Sequence, residues 1–240
     1  MLLLLNSLVV WGFGSILVAP EAKAAVAVFE SHYHSAQSLQ AQFLEQYREQ
    51  GRITRSEAGT VYFQKPGKMR WDYAAPENTL FLVDGKNAWF YVPADHTVMR
   101  VPARKSSDWR TPLSLLAGEI KLSRICKSVG FAKDEKPSDV ANVVLYCKIR
   151  GPKADSQDRS RTETSAAAID NEVVFFEIQR VTGELFRVQV KDPGGVIIEF
   201  QFKNWQLDPH LARPLFHFSP PRGVTIVNGE LPSADTAMKP

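Results

Sequence analysis

The sequence predicts a mainly β protein in which close to a dozen antiparallel strands follow one amphipathic helix. Proline, glycine and phenylalanine are plentiful, with 15, 14 and 14 residues in a chain of 240, and turn formers with aromatics favour many short strands. Beyond residue 38, apolar and polar residues alternate in short segments separated by turn sequences such as Pro66-Gly67 and Asp84-Gly85. Because so many strands exceed a flat open sheet, we expect the sheet to curl or close.

The composition narrows the class of protein. Hydrophobic residues make up 44% and charged residues 23% of the chain, which allows a packed core and excludes wholesale disorder. The net charge of +3 arises from 29 basic and 26 acidic side chains that are interspersed, so no nucleic-acid footprint is present. With no internal repeat, the chain is expected to form a single domain.

The N-terminus resembles an export signal. No charged side chain occurs from Leu2 to Ala19, and the stretch ends in the small-x-small pattern Ala22-Lys23-Ala24. We therefore interpret residues 1–24 as a signal peptide, cut after Ala24 or Ala25. A permanent membrane anchor is the alternative, since about 18 uncharged residues approach the length that spans a bilayer. No cysteine lies near the cut, which excludes an acylated N-terminal cysteine.

Helical periodicity is clearest at the start of the mature chain. It predicts a helix over Ala27–Ser38, with an apolar face that contains Val28, Phe29, Tyr33 and Ala36. A strand follows, whose inner face is expected to carry Leu39, Ala41, Phe43 and Tyr47. Further strands are predicted at Thr60–Lys65, Met69–Tyr73, Thr79–Val83, Ala88–Val92, Thr97–Val101, Lys121–Val129, Val140–Ile149, Val173–Ile178, Glu184–Lys191, Val196–Asn204 and Leu215–Phe218.

Three segments interrupt this series. Pro112–Gly118 starts at a proline and stops at a glycine, which predicts a short helix carrying Leu113, Leu115 and Leu116. Residues 151–171 form a polar stretch that reads as a solvated loop. Residues 232–240 read as a disordered tail, so the folded domain is expected at residues 25–231.

The two cysteines lie on either side of a predicted hairpin turn at Asp134–Ser138. A hairpin centred there would place Cys126 and Cys147 opposite each other, and an exported protein favours a disulfide. Two small buried thiols are the alternative. Two cysteines are too few for a structural zinc site.

Local signatures of catalysis are absent from the sequence. It contains no Gly-x-Ser-x-Gly elbow, no Walker loop and no His-Glu-x-x-His pattern. His32 and His34 diverge on a helix, so exposed positions are favoured over a metal site. The prediction is a protein that is not an enzyme and needs no cofactor. An exported hydrolase stays open, because a triad assembled from distant strands leaves no local pattern.

Several strands are apolar on both faces, for example Leu80–Val83 and Trp89–Val92. One face of a curled sheet is normally polar, so something is expected to cover the second face. The candidates are the Leu113–Leu116 helix, a partner surface, an apolar ligand, or helices not recognised in the sequence.

A block of motifs resembles LolA-type periplasmic carriers of outer-membrane lipoproteins. It comprises residues 64–73 (QKPGKMRWDY), then Pro76, Asp84-Gly85-Lys86, Trp89, Tyr91, Thr111-Pro112, Leu115-Leu116, Gly118, Val190-Lys191-Asp192 and Phe216-x-Phe218-x-Pro220-Pro221-x-Gly223-Val224. The resemblance runs from Val26 to about Val227. It implies an unclosed, half-open antiparallel β-barrel of about eleven strands, with a helical lid over an apolar concave face that receives acyl chains.

The resemblance also implies partners and a location. These are acylated lipoprotein cargo, an inner-membrane ATP-driven release complex and an outer-membrane lipoprotein receptor, met in the periplasm by a monomeric carrier. The related receptor is itself lipid-anchored, and the missing acylated cysteine argues against that member. A periplasmic regulator that senses lipid or outer-membrane protein on the same scaffold is the alternative function.

The expected lipid-binding residues follow from the same motifs. The lining is predicted to contain Phe63, Met69, Trp71, Leu82, Trp89 and Tyr91, with Leu115 and Leu116 on the lid. Lys65 is the expected lid clasp, at a position where the family often has arginine, and Met69 stands where it often has phenylalanine. Ordinary core positions are the alternative, since the pattern does not say which sheet face is concave.

Overall fold

The computed structural model describes residues 17–103, 111–118, 120–150, 173–191 and 195–229. Helix α1 is Lys23–His34 and helix α2 is Leu122–Ile125, and short 3-10 helices lie at Pro20–Ala22, Thr111–Ala117 and Arg213–Phe216. The strands are β1 Leu17–Val18, β2 Ser38–Glu49, β3 Arg52–Gln64, β4 Lys68–Ala75, β5 Thr79–Val83, β6 Asn87–Val92, β7 Thr97–Pro102, β8 Cys126–Phe131, β9 Asn142–Ile149, β10 Val173–Gln179, β11 Leu185–Lys191, β12 Val196–Leu207 and β13 Thr225–Asn228. The predictions for residues 1–16, the loop 151–171 and the tail 232–240 lie outside the described residues.

The described strands form one sheet in the order β1-β8-β9-β10-β11-β12-β2-β3-β4-β5-β6-β7-β13. Neighbouring strands are antiparallel except at the two edges, where β1 pairs with β8 and β13 pairs with β7 in parallel. The two edge strands do not pair with each other, so the sheet is unclosed. The predicted fold class is confirmed. The short parallel edge strands β1 and β13 were not predicted, because they are too brief to show alternation.

Two predicted strands are helical at their N-terminal end. Lys121–Val129 begins with helix α2, whose Leu122 is fully buried and donates its backbone N–H to the Glu30 carboxylate at 2.9 Å. Leu215–Phe218 overlaps the 3-10 helix Arg213–Phe216, which has a proline in its first turn. In both places burial against the sheet, rather than strand pairing, determines the local structure.

Helix α1 begins four residues before the predicted start and ends at His34. Its buried face contains Ala25, Val26, Phe29 and Tyr33. The predicted Phe29 and Tyr33 are therefore on the buried face, and the helix starts earlier because two apolar residues extend that face toward the N-terminus.

Helix α1 is held across one face of the sheet by the turn between β10 and β11. The Tyr33 hydroxyl accepts a hydrogen bond from the backbone N–H of Leu185 at 2.9 Å, and Trp205 Nε1 donates to the Leu185 carbonyl at 2.7 Å. Gly183 in this turn has φ +79°, and a Cβ there would lie 2.5 Å from the Val28 carbonyl oxygen. Only glycine permits this approach of the turn to the helix.

The residues just before α1 pack on the edge of the sheet. Strand β1 pairs with Ser128 and Val129, and Ala22 is fully buried. In the part of the chain that the structure describes, no helix combines the length and apolar character needed to cross a membrane.

The two cysteines are joined by a disulfide with Cα atoms 5.4 Å apart. They lie on the β8–β9 hairpin, but they are not register partners, since Cys126 pairs with Ile149 and Cys147 pairs with Val129. An irregularity in β8 after Cys126 shifts the register, so the bridge runs diagonally across the pair.

Candidate functional site

The inner face of the sheet carries a continuous group of aromatic rings. Val61 pairs with Trp71 and Phe63 with Met69 across β3 and β4, which places all four side chains on one face. The Trp71 ring centroid lies 4.8 Å from that of Phe43, with the two rings edge to face. Further aromatic rings surround Trp71 at similar distances. The buried inner rings of the central strands include Phe43, Phe63, Trp71, Phe200 and Phe202.

Two helical segments, which we call the covering segments, belong to the same cluster. Helix α1 contributes Phe29 and Tyr33, and the segment Thr111–Ala117 contributes Leu113, Leu115 and Leu116, all of them buried. Five of the predicted lipid-binding residues therefore meet in one cluster, namely Phe63, Met69, Trp71, Leu115 and Leu116. The apolar concave face is closed in this structure, since Phe63 and Trp71 are covered completely by the protein's own side chains. A ligand reaches these rings only when a covering segment moves.

The other three predicted lining residues lie on the opposite face. Trp71 pairs with Phe81, whereas Leu82 pairs with Arg70 on one side and Trp89 on the other. Tyr91 pairs with Leu80 on that same outer face. The expectation that all six lining residues share the concave face is wrong, because adjacent strand residues point to opposite faces and Trp71 fixes Phe81 as an inner position.

A C-terminal segment, residues 211–224, covers the outer face of β5–β7. Phe218 lies 5.6 Å from the rings of Trp89 and Tyr91, and Arg70 Nη1 donates to the Leu215 carbonyl at 2.9 Å. The outer cluster contains Leu80, Leu82, Trp89, Val98 and Phe216, with Tyr62, Tyr91, Leu211, Leu215, Phe218 and Val224 packed against it. This segment explains why these strands are apolar on both faces.

Lys65 contacts the C-terminal end of helix α1. Its Nζ donates to the carbonyl oxygens of Tyr33 at 3.2 Å and His34 at 2.9 Å. The last carbonyls of a helix lack intrahelical partners and carry partial negative charge, so they favour a cation. Partial burial lowers the pKa of Lys65, while the Asp208 carboxylate acts in the opposite direction.

The turn that contains Lys65 also contacts the second covering segment. The backbone N–H of Gly67 donates to the Ala117 carbonyl at 2.6 Å, and the backbone N–H of Lys65 donates to the Gln37 carbonyl at 2.9 Å. The three-residue turn Lys65-Pro66-Gly67 thus joins helix α1 and the segment Thr111–Ala117. We call it the lid turn.

A buried polar group occupies the other end of the inner face, and the sequence analysis missed it. Glu45 and Glu57 are register partners and are 0% and 5% exposed. The hydroxyls of Tyr47 and Tyr73 donate to Glu45, and Arg55 Nη2 pairs with Glu57 at 2.7 Å. The available signal was Glu45 itself, which occupies an inner position between Phe43 and Tyr47.

A second polar network lies on the outer face of β10–β12. Arg187 contacts Glu177 at 2.7 Å and Glu199 at 3.2 Å, and Gln189 and Gln201 also donate to Glu199. Burial acts to raise the pKa of Glu199, but the hydrogen bonds and the guanidinium charge outweigh it and hold that pKa below its ordinary value.

Side chains that could bind a metal do not converge in the described part of the chain. Within the ranges that the structure describes, no group of three or more histidine, cysteine, aspartate or glutamate side chains is arranged to hold a metal ion. Asp84 has a structural use, as expected for an Asp-Gly turn. Its carboxylate accepts hydrogen bonds from the backbone N–H groups of Lys86 and Asn87 and from Trp89 Nε1.

Fold and site define a class of protein built on an unclosed antiparallel sheet, with helical segments packed over an aromatic concave face. Residues 34–149 match the family model described as outer membrane lipoprotein carrier protein LolA. The resemblance to LolA-type carriers drawn from the sequence motifs is thereby confirmed. The matched model describes a carrier protein.

Relatives extend the similarity beyond the matched segment. The chain is 28% identical over 219 residues to an outer-membrane lipoprotein carrier protein of Nitrosomonas europaea, covering 88% of this chain and 93% of the relative. It is 27% identical over 228 residues to one of Methylococcus capsulatus, covering 93% and 95%. An uncharacterized conserved protein from Thermus thermophilus shares the fold, with a TM-score of 0.51, 12% identity and coverage of 87% and 99%.

Proposed function

We propose that this protein is a periplasmic carrier that binds the acyl chains of lipoproteins released from the inner membrane and delivers them to the outer membrane. The observation that carries the proposal is the aromatic inner face. Two helical segments cover it, and the lid turn makes hydrogen bonds to both of them. Relatives named as carriers match most of the chain, so the regulatory alternative fits less well.

The energetics require a shielded apolar face. Burial contributes about 0.8 kcal/mol per methylene, so a chain of ~15 methylenes gains on the order of 12 kcal/mol. Release of several such chains into water is therefore too slow for transport, and transfer requires direct contact with a donor and an acceptor. In the proposed cycle, the chains replace the contacts of the covering segments with Phe63, Met69 and Trp71.

The partners and location belong to the same proposal. Loading needs an energy source outside this chain, which we assign to the inner-membrane ATP-driven release complex. Unloading follows a gradient of affinity toward the outer-membrane receptor. Residues 1–24 act as the signal peptide in this scheme, so the carrier domain, residues 25–231, lacks strand β1 and the first two residues of helix α1.

The test is a release assay with spheroplasts that retain newly made lipoproteins. Added protein is expected to bring an acylated lipoprotein into the supernatant, where mass spectrometry of the purified complex detects it. Leu116→Glu should abolish release, because it places a charge among the inner rings. Val181→Glu, at a position that is 78% exposed, is the matched control and should release normally. Unacylated cargo released equally well, or no release at all, would contradict a carrier role.

A further inference from the structure

The indole N–H of Trp71 is a buried donor without a partner. Trp71 is fully buried, and its Nε1 makes no hydrogen bond. A buried tryptophan usually finds an acceptor, and an unpaired buried donor is costly. The two comparable indoles in the described ranges are paired, since Trp89 Nε1 donates to Asp84 and Trp205 Nε1 donates to the Leu185 carbonyl.

The surroundings of Trp71 explain the missing partner. Its ring is bordered by Phe43, Phe63, Phe200 and Phe202, with ring centroids 4.8 to 6.2 Å away. None of these side chains carries a hydrogen-bond acceptor of ordinary strength. An apolar environment of this kind does not hold ordered water, which leaves a ligand as a source of the acceptor.

Trp71 also lies between the two different ends of the inner face. On strand β4, Met69 and the lid turn lie on one side of it, and Tyr73 lies on the other. Tyr73 donates to the buried carboxylate of Glu45, so the polar group begins one inward position beyond Trp71. A ligand with an apolar tail, a single strong acceptor and a polar head would fit this sequence of environments.

We propose that the indole N–H of Trp71 donates to the ester carbonyl of a bound acyl chain. The inference rests on the proposed function and specifies how the cargo is oriented. The carbonyl lies at Trp71, the hydrocarbon extends toward Met69 and the lid turn, and the glycerol head lies toward Tyr73 and Glu45. An ester supplies the acceptor that the aromatic cluster lacks, whereas an ether oxygen is a much weaker one.

The test compares two probes that differ only in the presence or absence of ester carbonyls. Dioctanoylglycerol and its diether counterpart, dioctylglycerol, compete for the inner face against the apolar dye N-phenyl-1-naphthylamine. Wild type should prefer the diester by about fivefold, the size of one net hydrogen bond. Trp71→Phe keeps an aromatic ring but removes the donor, so it should lose the preference and bind the two probes equally.

A matched variant separates the donor from the ring area. Phe63→Leu removes aromatic surface from the same cluster without touching a donor, so it should weaken both probes equally and keep the preference. Equal binding of the two probes by wild type overturns the inference, as does a preference that survives in Trp71→Phe. The carrier function stands in both cases. Failure of both probes to displace the dye would contradict the carrier function as well. The comparison of the two probes on wild type tests the inference even if a variant does not fold.

Discussion

The Nζ of Lys65 lies 2.9 Å from the carbonyl oxygen of His34, so a turn of the sheet holds the end of the helix that crosses it. The same turn binds the segment Thr111–Ala117 through Gly67. The lid turn is therefore one small place at which contacts to both helical segments can be altered without changing the aromatic cluster.

Removal of the Lys65 charge should speed access to the inner face. Lys65→Met loses both hydrogen bonds to helix α1, and we expect N-phenyl-1-naphthylamine to enter about tenfold faster in stopped flow, equivalent to about 1.4 kcal/mol. Lys65→Arg should restore slow entry, since a guanidinium can bind the same two carbonyls. Lys86→Met removes an exposed lysine and is the control. Equal entry rates in all four proteins would show that Lys65 does not limit opening.

The two faces of β5 and β6 should respond differently to truncation. Leu82 is fully buried in the outer cluster, so Leu82→Ala is expected to reduce the free energy of unfolding by about 2–5 kcal/mol. Dye affinity of the folded protein should not change. Leu116→Ala should lower dye affinity, because Leu116 belongs to the inner cluster. A similar loss of affinity in both variants would place the ligand on both faces.

Loss of the disulfide should destabilise the protein without affecting dye binding. The bridge joins residues 21 apart, and closure of a loop of that length contributes about 3 kcal/mol in the chain-entropy model. The double variant Cys126→Ser/Cys147→Ser should therefore unfold at a lower urea concentration than wild type. Reduced wild type should match it. An unchanged midpoint after reduction would mean that the bridge contributes nothing in solution.

Stability at acidic pH should depend on Glu199. The pKa of Glu199 in the folded protein is below its ordinary value of 4.5. The ionised carboxylate therefore contributes fully to stability above about pH 4.5, and this contribution is lost as the pH falls through the lower pKa of the folded state. Glu199→Gln should be less stable than wild type near neutral pH, and the difference should shrink in acid. Urea unfolding between about pH 3 and 7 measures it. Glu77→Gln, at an exposed site, should show no such trend.

The sequence predicted local features better than spatial ones. Strand β5 begins and ends where predicted, at Thr79 and Val83, and the inner set on β2 is correct because alternation is a local property. The first half of β3 was missed, since Arg52, Arg55 and Glu57 do not resemble a strand, and pairing with β2 holds them there.

The candidate site was half predicted for the same reason. Alternation places Trp71 and Arg70 on opposite faces of the sheet, but it does not say which of them shares a face with Leu82. That depends on the register of β4 with β5. The cover over Leu82 comes from Phe216 and its neighbours, more than a hundred residues away in the chain. No local pattern contains such a contact.

The C-terminal segment over β5–β7 gives these strands a second source of cohesion. A sheet that packs against apolar groups on one face alone would lose its main stabilising contacts whenever a ligand on that face was exchanged. Here residues 211–224 pack on the outer face, and their cluster is separate from the inner one. In the proposed carrier cycle, exchange of cargo would therefore leave the outer cluster in place.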